Sequence, residues 1–258
     1  MPENFIFTMK PVSRQHITII WMSAVLLFFL SCGNLFAKDL QIAFPAKLPP
    51  WTLQADDAGI TVEIVRDSLK IMGHQVKIKY LSLKALNHAM EPDMDAHAQV
   101  ESKNLTGHYS DKIMAFQTSL ISLKPSGLEV HTMNDLDDKR IGAFQNASKL
   151  FDNSFLAMTR TNPHYQEIIN QELQVVRLYN GQTDLILIDK NTFLYFRQIT
   201  AMTNTSMPIA YHKISGLTEE SPAFVVFRDK ALCNDFNTGL QRLKNNGDYH
   251  DIFYNYTK

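Results

Sequence analysis

Strand-like and helix-like segments alternate at short spacing after residue 38, and this alternation restricts the fold more than any other feature of the sequence. Leu40–Phe44 is a short apolar segment that predicts a strand, and apolar residues recur at helical spacing from Ile60 to Met72. Gly73 then stands where a left-handed cap ends many helices. Repeated strand–loop–helix units predict an α/β protein with parallel strands, and the chain is long enough for two lobes.

The rest of the chain repeats the same two patterns. The other predicted strands are Val76–Tyr80, Ala96–Val100, Arg140–Phe144 and Leu185–Ile188, and the other predicted helices are Leu83–Met90, Ser148–Met158, Thr192–Ile199 and two near the end that contain Phe236 and Tyr249. Because Leu185–Ile188 has no polar face, we expect helices to cover this strand on both sides. Ser122–Gly127 and Ile214–Pro222 contain glycine and proline and are candidate crossovers between the lobes.

Composition and charge exclude several classes of protein. The chain has 258 residues, 45% of them hydrophobic, and 25 basic residues against 26 acidic ones, so we expect a packed core and no nucleic-acid partner. Cys32 and Cys233 fit no zinc pattern and make no disulfide framework. The histidines are scattered singly, and no nucleotide or nucleophile motif occurs, so we assign no metal, no cofactor and no catalytic residue.

The first segment has the features of a secretory signal. Lys10 and Arg14 precede the uncharged run Ile17–Leu30, which is 14 residues long. A membrane-spanning helix needs about 20 apolar residues, so the run favours a signal peptide over residues 1–37. We therefore expect cleavage after Ala37 and a periplasmic protein. The alternative is a lipid anchor at Cys32, because Phe29–Cys32 is an acceptable site for lipidation.

Six short sequence motifs follow one another over about 200 residues. They are Leu48–Trp51, Gly59–Ile64 leading to Met72–Gly73, Met94–Ala96, Asn134–Leu136 with Lys139–Gly142, Gly181–Asp189 and Asn245–Tyr249. In these motifs the chain resembles the bacterial extracellular solute-binding proteins of family 3, which serve amino-acid ABC transporters.

The resemblance implies a fold and a function. The fold would be the type II periplasmic-binding-protein fold, with two α/β lobes joined by two hinge crossovers. Lobe 1 would comprise residues 38–123 and 217–258, and lobe 2 would comprise residues 124–216. The protein would be a monomeric receptor that captures a small polar, amino-acid-like solute between its lobes and passes it to a membrane permease.

The resemblance also implies ligand-binding residues, each with a structural alternative. Asp189, at the carboxyl end of a predicted strand, would take the amino group of the ligand, or it caps the following helix. Free backbone N–H groups at Asn146, Ala147 and Ser148 would face an anion such as a carboxylate, or they only begin a helix. Trp51 would stack on the ligand or pack in the core.

One departure from the family concerns the carboxylate clamp. Amino-acid binders of the family carry an arginine where this chain has Ser110, and no arginine occurs between Arg66 and Arg140. Lys103, His108 or Lys112 could supply a positive charge instead, and we take Lys103 as the candidate, although none of these side chains has the forked donors of a guanidinium. This departure argues against a standard α-amino acid as the ligand.

Two other functions fit the same resemblance. The chain could be a sensory receptor that reports to a separate signalling protein. It could also be an enzyme similar to cyclohexadienyl dehydratase, since a fold does not determine a function. Glu101 and Asp189 are the acidic residues that would supply acid–base chemistry in that case.

Overall fold

A computed structural model describes residues 38–101, 103–200, 204–218 and 220–258. The predicted signal peptide, its cleavage site after Ala37 and the alternative anchor at Cys32 lie outside the described residues. None of the helices in the described part of the chain has both the length and the apolar composition that a membrane crossing requires.

Strands and helices alternate along the described residues, as the sequence pattern predicts. The strands are β1 Asp39–Pro45, β2 Gln75–Leu81, β3 Ala96–Val100, β4 His108–Tyr109, β5 Met114–Leu123, β6 Ile141–Phe144, β7 Tyr165–Ile168, β8 Leu185–Asp189, β9 Ile209–His212 and β10 Glu220–Phe227. The α-helices are α1 Ile60–Ile71, α2 Leu83–His88, α3 Asn153–Thr161, α4 Gln171–Tyr179, α5 Lys190–Ile199, α6 Lys230–Asn245 and α7 Asp248–Thr257.

Two strand arrangements meet at β5. On one side the order is β2-β1-β3-β10-β5, with β1 parallel to β2 and β3 and with β10 antiparallel to its neighbours. On the other side the order is β5-β8-β6-β7, with β6 parallel to β7 and β8. Strand β5 pairs with β10 through its first half and with β8 and β9 through its second half.

Separate hydrophobic cores correspond to these two arrangements. The first core joins β1, β3 and β10 to helices α1 and α6, with fully buried side chains such as Ile42, Ile64 and Phe236. The second arrangement packs two clusters against its strands, one around Phe155 and one around Phe193. Each sheet with its own helices therefore forms a lobe with its own buried apolar interior.

The chain passes between the lobes at two places. Met114 packs in the first core and Leu120 in the second, so the first passage lies inside β5, before the turn at Ser122–Gly127 that we expected to make it. Leu217 packs in the second lobe and Ala223 in the first, so the second passage lies within the expected stretch. The lobe bounds 38–123, 124–216 and 217–258 stay a proposal.

The predicted start of the helix Ser148–Met158 is wrong. A short 3₁₀ turn covers Ala147–Lys149, and α3 begins only at Asn153. The carboxylate of Asp152 accepts a hydrogen bond from the Phe155 N–H at 3.0 Å and caps the new helix. The backbone of Asn146 has a φ of 64°, which turns the chain sharply after β6 and delays the helix.

Candidate functional site

A cleft of about 690 Å³ lies between the lobes and is open to solvent. The first lobe contributes residues just after β1 and β3, residues within β5 and the start of β10, and the second contributes residues from Phe144 to Phe151 and from Ile169 to Gln171. A volume of this size suits a small organic molecule.

Much of the cleft wall is apolar. Phe116 of the first lobe and Phe144 and Phe151 of the second line the cleft, and all three rings are partly exposed. Leu83, Leu150 and Ile169 also line it and are 45%, 68% and 77% exposed. Large aliphatic side chains that are this exposed on facing lobes suit a surface that is covered when a ligand binds.

The charged groups of the cleft wall are mostly acidic. Glu101 and Glu220 line the cleft, whereas Lys47 is the one basic residue among its described lining residues. The Ser221 hydroxyl donates a hydrogen bond of 3.0 Å to the Glu101 carboxylate. Partial burial raises the pKa of Glu101, and the charge of Asp189 adds to that rise while the bond from Ser221 opposes it. Acidic groups therefore outnumber basic ones by two to one among the described lining residues.

Asp189 caps α5 and also ties β8 to β5. One carboxylate oxygen accepts hydrogen bonds from the N–H of Thr192 at 2.9 Å and from its hydroxyl at 3.0 Å. The other oxygen accepts the N–H of Gln117 at 2.9 Å. Burial raises the pKa of Asp189, against the lowering effect of these hydrogen bonds. Asp189 therefore does cap the following helix, and its role in binding the ligand stays a proposal.

The turn from Asn146 to Ser148 holds a carboxylate of the chain itself. Glu167 of β7 accepts the N–H of Asn146 at 2.7 Å, the N–H of Ser148 at 2.9 Å and the Ser148 hydroxyl at 2.7 Å. The hydroxyl of Tyr165 adds a bond of 3.2 Å to the same carboxylate. These donors were expected to face a ligand, whereas the structure pairs them with Glu167. Ala147 is fully buried.

The hydrogen bonds to Glu167 stabilise its charged form. Its partial burial raises the pKa, but the hydrogen bonds from Ser148, Asn146 and Tyr165 outweigh that effect and hold the pKa of Glu167 below its usual range. Sequence reasoning missed Glu167 because β7 was not predicted. The signal that the sequence offers is the short segment Tyr165–Ile168, in which an aromatic and a β-branched residue flank two polar ones.

Trp51 lies in the core of the first lobe and does not line the cleft. Its side chain is 1% exposed and packs edge-on against Phe116 and Phe253, with ring centroids 5.0 and 6.1 Å away. Phe116, which contacts the Trp51 ring, itself lines the cleft. The aromatic face available to a ligand on this side is therefore that of Phe116.

The missing arginine has no replacement at Lys103. The ammonium of Lys103 lies over the ring of Phe224, 4.8 Å from its centroid, and this residue does not line the cleft. Ser110, at the position of the family arginine, is buried and bonded within the lobe, where its hydroxyl donates to the Asp111 carbonyl at 2.7 Å and accepts the Val225 N–H at 2.9 Å.

A second depression of about 400 Å³ lies on the second lobe and shares no lining residue with the cleft. Two arginines line it: Arg140 is bound to the Asp184 carboxylate at 2.5 Å and to the Gly181 carbonyl at 2.7 Å, and Arg177 donates a hydrogen bond of 3.0 Å to the side-chain oxygen of Gln166. Both arginines are already paired, so the cleft remains the candidate site. Within the described residues, no group of three or more His, Cys, Asp or Glu side chains is placed to hold a metal ion.

Solved structures with the same architecture decide the fold. The substrate-binding protein of a polar amino acid ABC uptake transporter from Streptococcus thermophilus is 19% identical, with a TM-score of 0.63 over 85% of this chain and 86% of that one. The chain has the type II periplasmic-binding-protein fold. The two-lobed α/β architecture with two crossovers, expected from the sequence, is thereby confirmed.

Two further structures show the same likeness. An ancestral cationic amino acid solute-binding protein is 16% identical, with a TM-score of 0.64 over 85% of this chain and 96% of that one. The second substrate-binding domain of GlnP from Lactococcus lactis, in an open conformation, is 19% identical, with a TM-score of 0.59 over 84% of this chain and 94% of that one. No protein-family model and no curated protein matches the sequence.

Proposed function

We propose that the protein is a periplasmic solute-binding receptor that captures a small polar, amino-acid-like solute between its lobes and delivers it to the permease of an ABC transporter. The observation that carries this proposal is a ligand-sized cleft whose walls come from both lobes of a binding-protein fold. The similar structures support it, because one is named as the substrate-binding protein of a polar amino acid ABC uptake transporter and another as a cationic amino acid solute-binding protein.

Binding and closure are coupled in this proposal. A ligand that contacts Phe116 of the first lobe and Phe144 of the second lobe at the same time stabilises the closed state relative to the open one. The two passages of the chain, one within β5 and one between Leu217 and Ala223, act as the hinge. A monomer is sufficient for this mechanism, and no catalytic step is proposed.

Ligand-induced closure is the first prediction. We expect a screen of amino acids, amines and organic acids to yield a ligand that, at about 100 times its Kd, adds roughly 2.7 kcal/mol to the free energy of unfolding. Small-angle X-ray scattering should then show a smaller radius of gyration with that ligand. Phe144→Ala should weaken binding at least tenfold, since its ring lines the cleft.

The matched control is Tyr254→Ala. Tyr254 is also aromatic and 57% exposed, but it lies on α7 and does not line the cleft, so its replacement should leave the affinity unchanged. Equal losses in the two variants, or stabilisation by no compound in the screen, would contradict the receptor proposal.

Export to the periplasm is a separate prediction. The form recovered from an osmotic-shock fraction should begin at Lys38, or at a lipid-modified Cys32 if the anchored alternative holds. Intact-mass spectrometry distinguishes the two. Residues 1–37 retained on a protein in the cytoplasmic fraction would be the opposite result.

A further inference from the structure

We infer that the cleft selects an organic cation with an apolar body and no carboxylate group, in preference to an α-amino acid. This inference rests on the proposed receptor function and narrows the class of solute that the receptor carries.

The charges of the cleft favour a cation. Glu101 and Glu220 line the space, and Asp189 lies close enough to raise the proton affinity of Glu101. Lys47 is the opposing charge among the described lining residues. Two carboxylates that face one cavity repel each other, and a bound ammonium relieves that repulsion while it gains a charge-assisted hydrogen bond.

The second lobe lacks free donors that could bind a carboxylate of the ligand. The backbone donors at Asn146 and Ser148 are already bonded to Glu167 at 2.7 and 2.9 Å, and Asn146 lines the cleft. An ionised Glu167 beside this wall repels a second carboxylate. No described lining residue of the cleft is an arginine, so the forked donor that grips carboxylates is missing as well.

The walls suit an apolar body. Phe116, Phe144 and Phe151 present aromatic surface from both lobes, and a cation close to such rings gains further electrostatic attraction. Leu83 on one rim and Leu150 and Ile169 on the other are largely exposed in this open cleft. An alkyl or aromatic group of the ligand, enclosed between the lobes, would remove these side chains from water.

The test uses pairs of compounds that differ only in the α-carboxylate. They are phenethylamine and phenylalanine, tyramine and tyrosine, agmatine and arginine, and cadaverine and lysine. Calorimetry on the wild-type domain that begins at Lys38 should show at least one amine that binds tenfold or more tightly than its amino acid, and no pair with the opposite preference.

Variants then test the charge argument. Glu101→Gln and Glu220→Gln each keep the size of the side chain but remove its charge, so each should weaken binding of the preferred amine at least fivefold. The control is Glu129→Gln, which removes the same charge from an exposed position that does not line the cleft, and it should leave the affinity unchanged.

The following results would contradict the inference. An amino acid that binds as tightly as its amine would show that the carboxylate is accepted, and the receptor function would still stand. Amine binding that neither Gln variant weakens would show that these carboxylates do not recognise the cation. Binding of organic acids and of no amine would show that the ligand is an anion, which contradicts the inference of a cation. If no compound binds and no closure occurs, the receptor proposal fails together with the inference.

Discussion

Replacing Asp189 with alanine should lower the free energy of unfolding of the ligand-free protein by about 2–3 kcal/mol. Loss of a helix N-cap costs about 1 kcal/mol, and the Gln117 N–H loses its carboxylate partner at a further cost of about 1–2 kcal/mol. For a domain of this size, the melting temperature should fall by roughly 4–12 °C. Differential scanning calorimetry without ligand measures this change.

Two variants separate the cap from any role in binding. Asp189→Asn keeps an oxygen for the Thr192 N–H but removes the charge, so it should destabilise less than Asp189→Ala. If Asp189 assists binding of a cation, both variants should weaken binding of the preferred amine at least tenfold. Asp152→Ala removes a cap from α3 outside the cleft lining and should cost about 1 kcal/mol with no change in affinity. If both Asp189 variants bind the amine as tightly as the wild type does, Asp189 stabilises the fold and does not contribute to binding.

Replacing Trp51 with alanine should destabilise the protein by about 3–5 kcal/mol, because the ring is fully buried against Phe116 and Phe253. The corresponding fall in melting temperature is roughly 6–20 °C. Trp51→Phe should cost much less, since the indole N–H has no hydrogen-bond partner among the described residues. Chemical denaturation of the ligand-free variants tests both values.

The control for Trp51 is Leu150→Ala, on the rim of the cleft. Leu150 is 68% exposed, so its truncation should change the stability by less than about 0.5 kcal/mol. A Trp51→Ala protein that melts within about 2 °C of wild type and no longer binds ligand would place the tryptophan in the binding surface instead of the core.

Several elements could be predicted from the sequence because their signal is local. Ala96–Val100 and Leu185–Ile188 are continuous buried runs, and both form strands at those positions. The apolar spacing from Ile60 predicted α1, which ends at Ile71 just before Gly73 with a φ of 88°. A continuous buried run and a helical spacing of apolar residues are both local patterns, so one sequence suffices to find such segments.

Strand β5 shows where this approach fails. Met114 and Ser119–Ser122 are buried, whereas Ala115–Thr118 and Leu123 are partly or fully exposed, so the sequence of this strand has neither a clean alternation nor a continuous apolar run. It is a strand because β10 pairs with its first half while β8 and β9 pair with its second half. For this reason the sequence placed the first crossover between the lobes at the turn Ser122–Gly127, whereas the structure places it within β5.

The sequence by itself determined the α/β class, the buried strands and the missing arginine, since each follows from local composition and spacing. Only the tertiary structure decided what the candidate residues do. The register of β6 and β7 sets Ala143 opposite Glu167 and so brings this carboxylate to the turn at Asn146, 21 residues earlier in the chain. A hydrogen bond between such distant residues depends on which strands pair, and this pairing is a long-range contact that no local pattern of the sequence encodes.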